Sequence, residues 1–232
     1  VWLSPAPTSI AECGREAEWL ATDHTVVRYD LRAYGQSDSA SAPFSHLGDL
    51  TALLDELQIA KATLIGLSAG STIALDAALE APSRVDRMVL VGPAISGYVP
   101  KERPPFTADL IVAIQARDYK KAADVILATP VFVAPPEAQP LVRQMVTEND
   151  RLWTVPRELM KMPERPAIDR LEQVKVPTLV LIGEQDVAQK EQADLLGRRV
   201  PGARVVMIPG GGHLLNLTSP RAFELAIAPF LR

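Results

Sequence analysis

Apolar residues along this chain fall into two alternating patterns. Short unbroken runs occur at Ala62 to Leu67, Arg87 to Gly92, Thr178 to Gly183 and Arg204 to Ile208. They are too short for buried helices and carry many β-branched residues, which predicts strands. Between them the spacing changes. Leu47, Leu50, Leu53, Leu54 and Leu57 recur at intervals of three and four from His46 onward, predicting an amphipathic helix. Ile73, Ala74, Ala77 and Ala78 predict a tightly packable helix face that stops before Pro82. A helix through Leu195 and Leu196 precedes the strand at Arg204, and a last one runs from about Pro220 to Leu231 with Ser219 as its N-cap. At the start, Val1 to Ser4 reads as a short strand and Pro5 to Ser9 as a loop. A helix with a partial apolar stripe of Ile10, Ala17, Trp19 and Leu20 follows, weakened at Gly14 by about 1 kcal/mol relative to alanine. Thr25 to Tyr29 then predicts a strand by its β-branched and aromatic content.

Strands alternating with helices at these intervals imply crossover connections. The predicted fold is α/β, a mostly parallel doubly wound sheet flanked by helices. The alternation breaks off over residues 96–167, where helical stretches (Asp109 to Arg117, Tyr119 to Ala128, Leu141 to Asn149, Pro156 to Met162) are punctuated by Pro100, Pro104, Pro105, Pro130, Pro135, Pro136, Pro163 and Pro166. That segment predicts a helical cap lying over the sheet, inserted between a first core part, residues 1–95, and a second, 168–232. A chain of 232 residues suffices for one such domain.

Composition narrows the function classes. Hydrophobic residues at 47% and charged residues at 22% exclude a disordered chain. The net charge of -4 argues against nucleic acid or acidic lipid as the main partner. Cys13 is the single cysteine and the three histidines lack zinc-ligand spacing, so neither an intrachain disulfide nor a zinc site is expected. Cys13 reads as a packing residue and the compartment as reducing, hence cytoplasmic. No apolar run approaches the roughly 18 residues of a membrane span, and no signal peptide is evident.

Candidate chemistry lies where predicted strands end, the place where open α/β sheets build their sites. Gly66-Leu67-Ser68-Ala69-Gly70 follows one strand and opens a helix, a pattern that describes a nucleophile elbow. Asp186, in Gly183-Glu184-Gln185-Asp186, follows another, with Glu184 as a nearby rival carboxylate. His213, after Gly210-Gly211-Gly212, follows the last. A serine hydroxyl needs a base to take its proton. Histidine titrates near neutrality, and a carboxylate on its other nitrogen fixes the tautomer. Asp76 and Asp86 read as surface groups, His24 as a loop residue and His46 as the start of a helix. Trp153, Met160 and Met162 are candidates for lining an apolar pocket or for packing the cap onto its domain.

Taken with Asp30-Leu31-Arg32-Ala33-Tyr34-Gly35-Gln36-Ser37, which resembles the Asp-x-Arg-Gly-x-Gly-x-Ser loop with Ala33 in place of a glycine, these motifs resemble the α/β-hydrolase family over the whole chain. The resemblance implies Ser68 as nucleophile, His213 as base and then acid, and Asp186 as the orienting carboxylate. It implies cleavage of a small carboxylic ester or lactone through an acyl-enzyme, with no metal or organic cofactor. A C–C bond hydrolase, a perhydrolase or a non-catalytic ligand-binding member of the fold are the alternatives. Asp30 and Arg32 are expected to hold their loop rather than to react.

Two departures accompany the resemblance. Leu3-Ser4 stands where the family has a His-Gly pair, and Pro5 has no N–H to donate. The oxyanion would then rely on Ala69 N and, as second donor, Ala6 N. Loss of one such donor costs roughly 10²- to 10³-fold in turnover. The family's first two strands also lack counterparts ahead of Val1. Thr25 to Tyr29 is therefore expected at a sheet edge, calling for an upstream segment or a homo-oligomer contact there.

Overall fold

The structure, a computed structural model, describes residues 1–102 and 104–232. Five strands form one sheet: β1 (Trp2–Leu3), β2 (Ala62–Leu67), β3 (Val85–Val91), β4 (Thr178–Gly183) and β5 (Arg204–Ile208). They lie in the order β1-β2-β3-β4-β5 and every neighbouring pair is parallel. Because successive side chains leave a strand on opposite sides, the sheet feeds two cores. Leu64, Met88, Leu90, Val180 and Ile182 enter one, while Ile65, Leu67, Val89, Val91, Leu179 and Leu181 enter the other. Burial on both faces explains why these strands are continuous apolar runs rather than alternating ones.

Nine α-helices are found among the described residues: α1 (Gly14–Leu20), α2 (His46–Glu56), α3 (Ala69–Glu80), α4 (Thr107–Gln115), α5 (Tyr119–Leu127), α6 (Gln139–Glu148), α7 (Val187–Arg199), α8 (Leu215–Thr218) and α9 (Pro220–Leu231). The first core is closed by Leu50 and Leu54 of α2, Ile73, Ala74, Ala77 and Ala78 of α3, and Ala193 and Leu196 of α7. The second is closed by Leu20 of α1 and by Phe223 and Ile227 of α9, with Ile126 of α5 and Met145 of α6 joining it. Between β3 and β4 the described residues contain helices and short 3-10 turns but no named strand.

Several predicted elements come out differently. Thr25 to Tyr29 is not a strand: it touches the sheet through one bridge, Trp2 to Arg28, and one bond, Trp2 N donating to Val27 O at 2.9 Å. The reason lies in its partner, since β1 is two residues long and offers no further ladder. Pro156 to Met162 holds only a 3-10 turn at Arg157–Leu159, while Met160 bridges to Phe44. Ser219 occupies the N-cap position of α9, but its side chain makes no capping bond. Of the apolar stripe expected in the first helical stretch only Leu20 is buried, while Ile10, Ala17 and Trp19 are half-buried; the other inward residues are Glu12, Cys13 and Glu16. Asp76 is buried rather than on the surface, and its Oδ1 accepts from Ser96 Oγ at 2.8 Å.

Candidate active site

β2 delivers the chain into α3 with no intervening loop, so Ser68 must turn it alone. Its backbone sits at φ 48°, ψ -111°. For a residue with a side chain that conformation costs roughly 1–3 kcal/mol and persists only where the surroundings enforce it. They do so here by contact. A Cβ on Gly70 would run into the backbone of Leu3 in β1, and one on Gly66 into the backbone of Gly70. Only glycine lets the helix start press against two strands at once. Ser68 is half-buried and its Oγ has no hydrogen-bond partner among the described residues. Immediately beyond it, Ser71 N donates to Ser68 O at 2.9 Å, while Ala69 N and Gly70 N, the first two of α3, have no carbonyl one turn earlier in the helix to bond.

At the ends of β4 and β5 the acid and base loops interlock. Gln185 N donates to Gly211 O at 2.9 Å, and Gly210 N donates to Glu184 Oε2 at 2.9 Å. Glu184 is thereby occupied in holding the glycine loop. Asp186 is the carboxylate that meets the imidazole: its Oδ2 lies 2.7 Å from His213 Nδ1, with both side chains nearly inaccessible to water. An ionised carboxylate only accepts, so Nδ1 carries the proton in this bond and Nε2 is left as the basic nitrogen.

β3 joins the two halves. Ser68 N donates to Val91 O at 2.9 Å. The next residue, Gly92 (φ +47°), lies against the imidazole–carboxylate pair: a Cβ there would stand 2.9 Å from His213 Nδ1 and 3.0 Å from Asp186 Oδ2. Gly92 was legible in the sequence only as a strand end. In the structure it is the residue that leaves room for the pair beside the elbow.

The predicted loop residues hold structure as expected. Asp30 accepts from Ile10 N at 2.8 Å and Gln36 N at 2.9 Å, and Arg32 grips Asp49 through two bonds of 2.9 and 2.6 Å. Ala33, standing where the resembled loop has glycine, is forced to φ 71°. At the other candidate donor, the Ala6–Pro7 peptide is cis, Pro5 O accepts from Thr8 N, and Ala6 N has no acceptor among the described residues. Cys13 is buried, and desolvation pushes its thiol up to about 12, in keeping with a packing role.

A cavity of about 580 Å³ runs from Ala69 along one face of α3, past Thr72, Ile73, Asp76 and Glu80. Its far walls come from Leu31, Tyr34, His46, Met160, Met162 and Arg170. It reaches the elbow at Ala69 and is not lined by Ser68, Asp186 or His213. Trp153 lines a smaller neighbouring cavity of about 250 Å³ that shares Tyr34, His46 and Met160 with the first. Among the described residues no group of three or more His, Cys, Asp or Glu could hold a metal, and no helix is long and apolar enough to cross a membrane.

Comparison with known proteins bears on this geometry. The profile of the alpha/beta hydrolase family matches residues 14–226. The chain belongs to that family. Among alpha/beta hydrolase relatives, a Pseudomonas savastanoi protein named "Putative carbamate hydrolase RutD" is 28% identical, the alignment covering 91% of this chain and 85% of that protein. A 2-hydroxy-6-oxononadienedioate/2-hydroxy-6-oxononatrienedioate hydrolase of Burkholderia vietnamiensis is also 28% identical, over 98% of this chain and 84% of its own. In structure, the enol-lactonase of Burkholderia xenovorans superposes with a TM-score of 0.82 at 24% identity, covering 99% of this chain and 90% of that one, and so shares the fold.

Proposed function

We propose that this alpha/beta hydrolase is a serine hydrolase that cleaves a small carboxylic ester or lactone through an acyl-enzyme. The observation that carries the proposal is the buried His213–Asp186 bond of 2.7 Å beside a serine held in a strained turn. In this mechanism Ser68 Oγ attacks the carbonyl carbon while His213 Nε2 takes its proton, and Asp186 keeps the ring oriented and stabilises the imidazolium. The oxyanion accepts from Ala69 N, assisted by the α3 dipole, and from Ala6 N. Collapse breaks the bond to the alkoxy group, which leaves with the proton from His213. Water then attacks the acyl-enzyme, giving its proton to the same nitrogen, and Ser68 is regenerated with release of the acid. No metal or organic cofactor takes part in this scheme.

Residues 96–167 serve in this proposal as a cap over the substrate, since Met160 bounds both cavities and Trp153 lines the smaller one. A chain with one buried cysteine and no possible intrachain disulfide suits a cytoplasmic home. A second possibility, C–C bond hydrolysis on the same three residues, is favoured by the similarity to the Burkholderia vietnamiensis hydrolase over 98% of this chain. The test is hydrolysis of short p-nitrophenyl esters by wild type and Ser68→Ala. The expected result is turnover by wild type alone. Equal turnover by both would exclude Ser68 as nucleophile, and turnover by neither would favour the C–C substrate or a ligand-binding role.

A further inference from the structure

The 96–167 segment meets the core along residues 30–46, and it holds that stretch in two different ways. At one point it grips with side chains. Asn149, 1% exposed, accepts from Gly35 N through Oδ1 at 2.7 Å and donates from Nδ2 to Met145 O at 2.5 Å, so both halves of its amide are used. Arg151 Nη2 donates to the carbonyl oxygen of the same glycine. At the other point the grip is backbone to backbone: Phe44 N donates to Leu159 O at 2.9 Å, and Phe44 O accepts from Lys161 N at 2.7 Å. Gly35 cannot yield on its far side. Its φ is +48°, and a Cβ there would collide with the Asp30 carboxylate, which is itself fixed by Ile10 N and Gln36 N.

Between the two grips stands a wall. Tyr34, His46 and Met160 line both the cavity of about 580 Å³ and the one of about 250 Å³, and so divide them. Its rings pack edge to face, Tyr34 and His46 with centroids 6.2 Å apart at 71°, His46 and Phe44 5.3 Å apart at 77°. Close-packed rings in that arrangement have one good geometry, so a shift of one is passed to the next. Tyr34 immediately precedes Gly35, and Met160 is the bridge partner of Phe44. Each end of the wall is therefore fixed by one grip. Only the Tyr34 end depends on side chains that substitution can remove.

We propose that Tyr34, His46 and Met160 partition the space beneath the 96–167 segment, and that Asn149 and Arg151 are positioning residues that limit the size of the substrate group by holding the Tyr34 end of this partition. The larger cavity is the one that reaches the elbow, at Ala69. With the wall in place a substrate group occupies that cavity alone. With Tyr34 released, the smaller cavity joins it. Leu31, Leu47 and Ile73 on one side and Leu152, Trp153 and Val155 on the other make the added space suited to an alkyl chain rather than a charged group. The substrate half of this inference rests on the ester-hydrolase reading above, while the geometry of the grip does not.

The experiment reads the two halves separately. In NMR hydrogen exchange the Gly35 amide should be protected in wild type and exchange about tenfold faster in Asn149→Ala, which removes its acceptor. Asp118→Ala, which removes the N-cap of α5 elsewhere in the segment, should leave Gly35 unchanged. For the second half, the ratio of kcat/KM for p-nitrophenyl octanoate to that for p-nitrophenyl acetate should rise about tenfold in Tyr34→Ala and in Asn149→Ala/Arg151→Ala, through a lower KM for the octanoate. The double variant decides, since neither of its residues lines a cavity. Arg151→Ala alone, whose lost side chain bonds only Gly35 among the described residues, serves if the double variant does not fold, with a rise of about threefold. Arg151→Lys, which keeps a donor for Gly35 O, should stay at the wild-type ratio. A variant that is merely less stable loses both esters alike, as Asp118→Ala should. If wild type cleaves neither ester, the hydrolase reading fails and the Kd for sodium octanoate replaces the ratio, falling about tenfold in the same variants. Gly35 exchanging unprotected in wild type, or an octanoate preference unchanged in the latch variants, would overturn the proposal.

Discussion

Asp186 and Glu12 are both acids shut away from water, at 4% and 2% exposure, and their neighbours give them opposite tasks. Asp186 faces a ring nitrogen at 2.7 Å that can deliver a hydrogen and carry a charge. Glu12 faces one indole N–H on one oxygen, while its other oxygen is orphaned beside a hydroxyl, with a second acid nearby. Burial by itself therefore does not set the state of a carboxyl group. The two enclosures differ in what they supply: the base loop sets an imidazole nitrogen against Asp186, while Glu12 Oε2 and both Glu16 carboxyl oxygens meet no hydrogen-bond donor among the described residues. The first arrangement suits a group that must stabilise an imidazolium during a reaction. Glu12 instead serves as a fixed joint through its bond to the Trp2 indole.

The contrast can be broken most severely on the Asp186 side. Asp186→Asn should leave the fold intact but favour the wrong imidazole tautomer, lowering kcat by about 10⁴-fold in ester-hydrolysis assays. An unchanged kcat would remove Asp186 from the mechanism. On the other side, Glu12→Ala strands the Trp2 indole in the core without changing any reacting group. We expect about 3 kcal/mol of lost stability by denaturant titration. The sharper version is the pH dependence: burial raises the Glu12 carboxyl to about 8, so between pH 6 and 8 wild type should lose up to about 1.4 kcal/mol per unit relative to Glu12→Gln, which cannot ionise. The smallest effect tests backbone strain away from both acids. Ala33→Gly relieves φ 71° and should raise stability by about 1 kcal/mol, with kcat for esters unchanged.

The same contrast explains what could be read from the sequence. β2, β4 and β5 were legible nearly to the residue because each is an apolar run closed by glycine or proline, or by a change of spacing. The elbow, the acid turn and the base loop were legible because their glycines mark close backbone approaches. Sequence pattern places residues by polarity, however, and so it turned Asp76 outward and singled out neither Glu12 nor Glu16, all three of which are buried. Their burial depends on partners distant in sequence, such as Asn216 for the first helical stretch and Ser96 for Asp76. The strand expected at Thr25 to Tyr29 failed for a related reason: its propensity was adequate, but a strand is completed by its neighbour, and β1 supplies only two residues. Glu184 and Asp186 were rivals in sequence and are separated in the structure by two bonds, His213 Nδ1 to Asp186 and Gly210 N to Glu184.

Everything proposed for catalysis depends on the strained serine at the elbow being the nucleophile served by the His213–Asp186 pair. Fluorophosphonate labelling of wild type, followed by peptide mapping, tests it most directly. A single stoichiometric adduct on Ser68 is expected, slowed severely in Asp186→Asn and missing in Ser68→Ala. Labelling elsewhere on the chain with Ser68 unmodified, or equal labelling of Ser68→Ala, would contradict it.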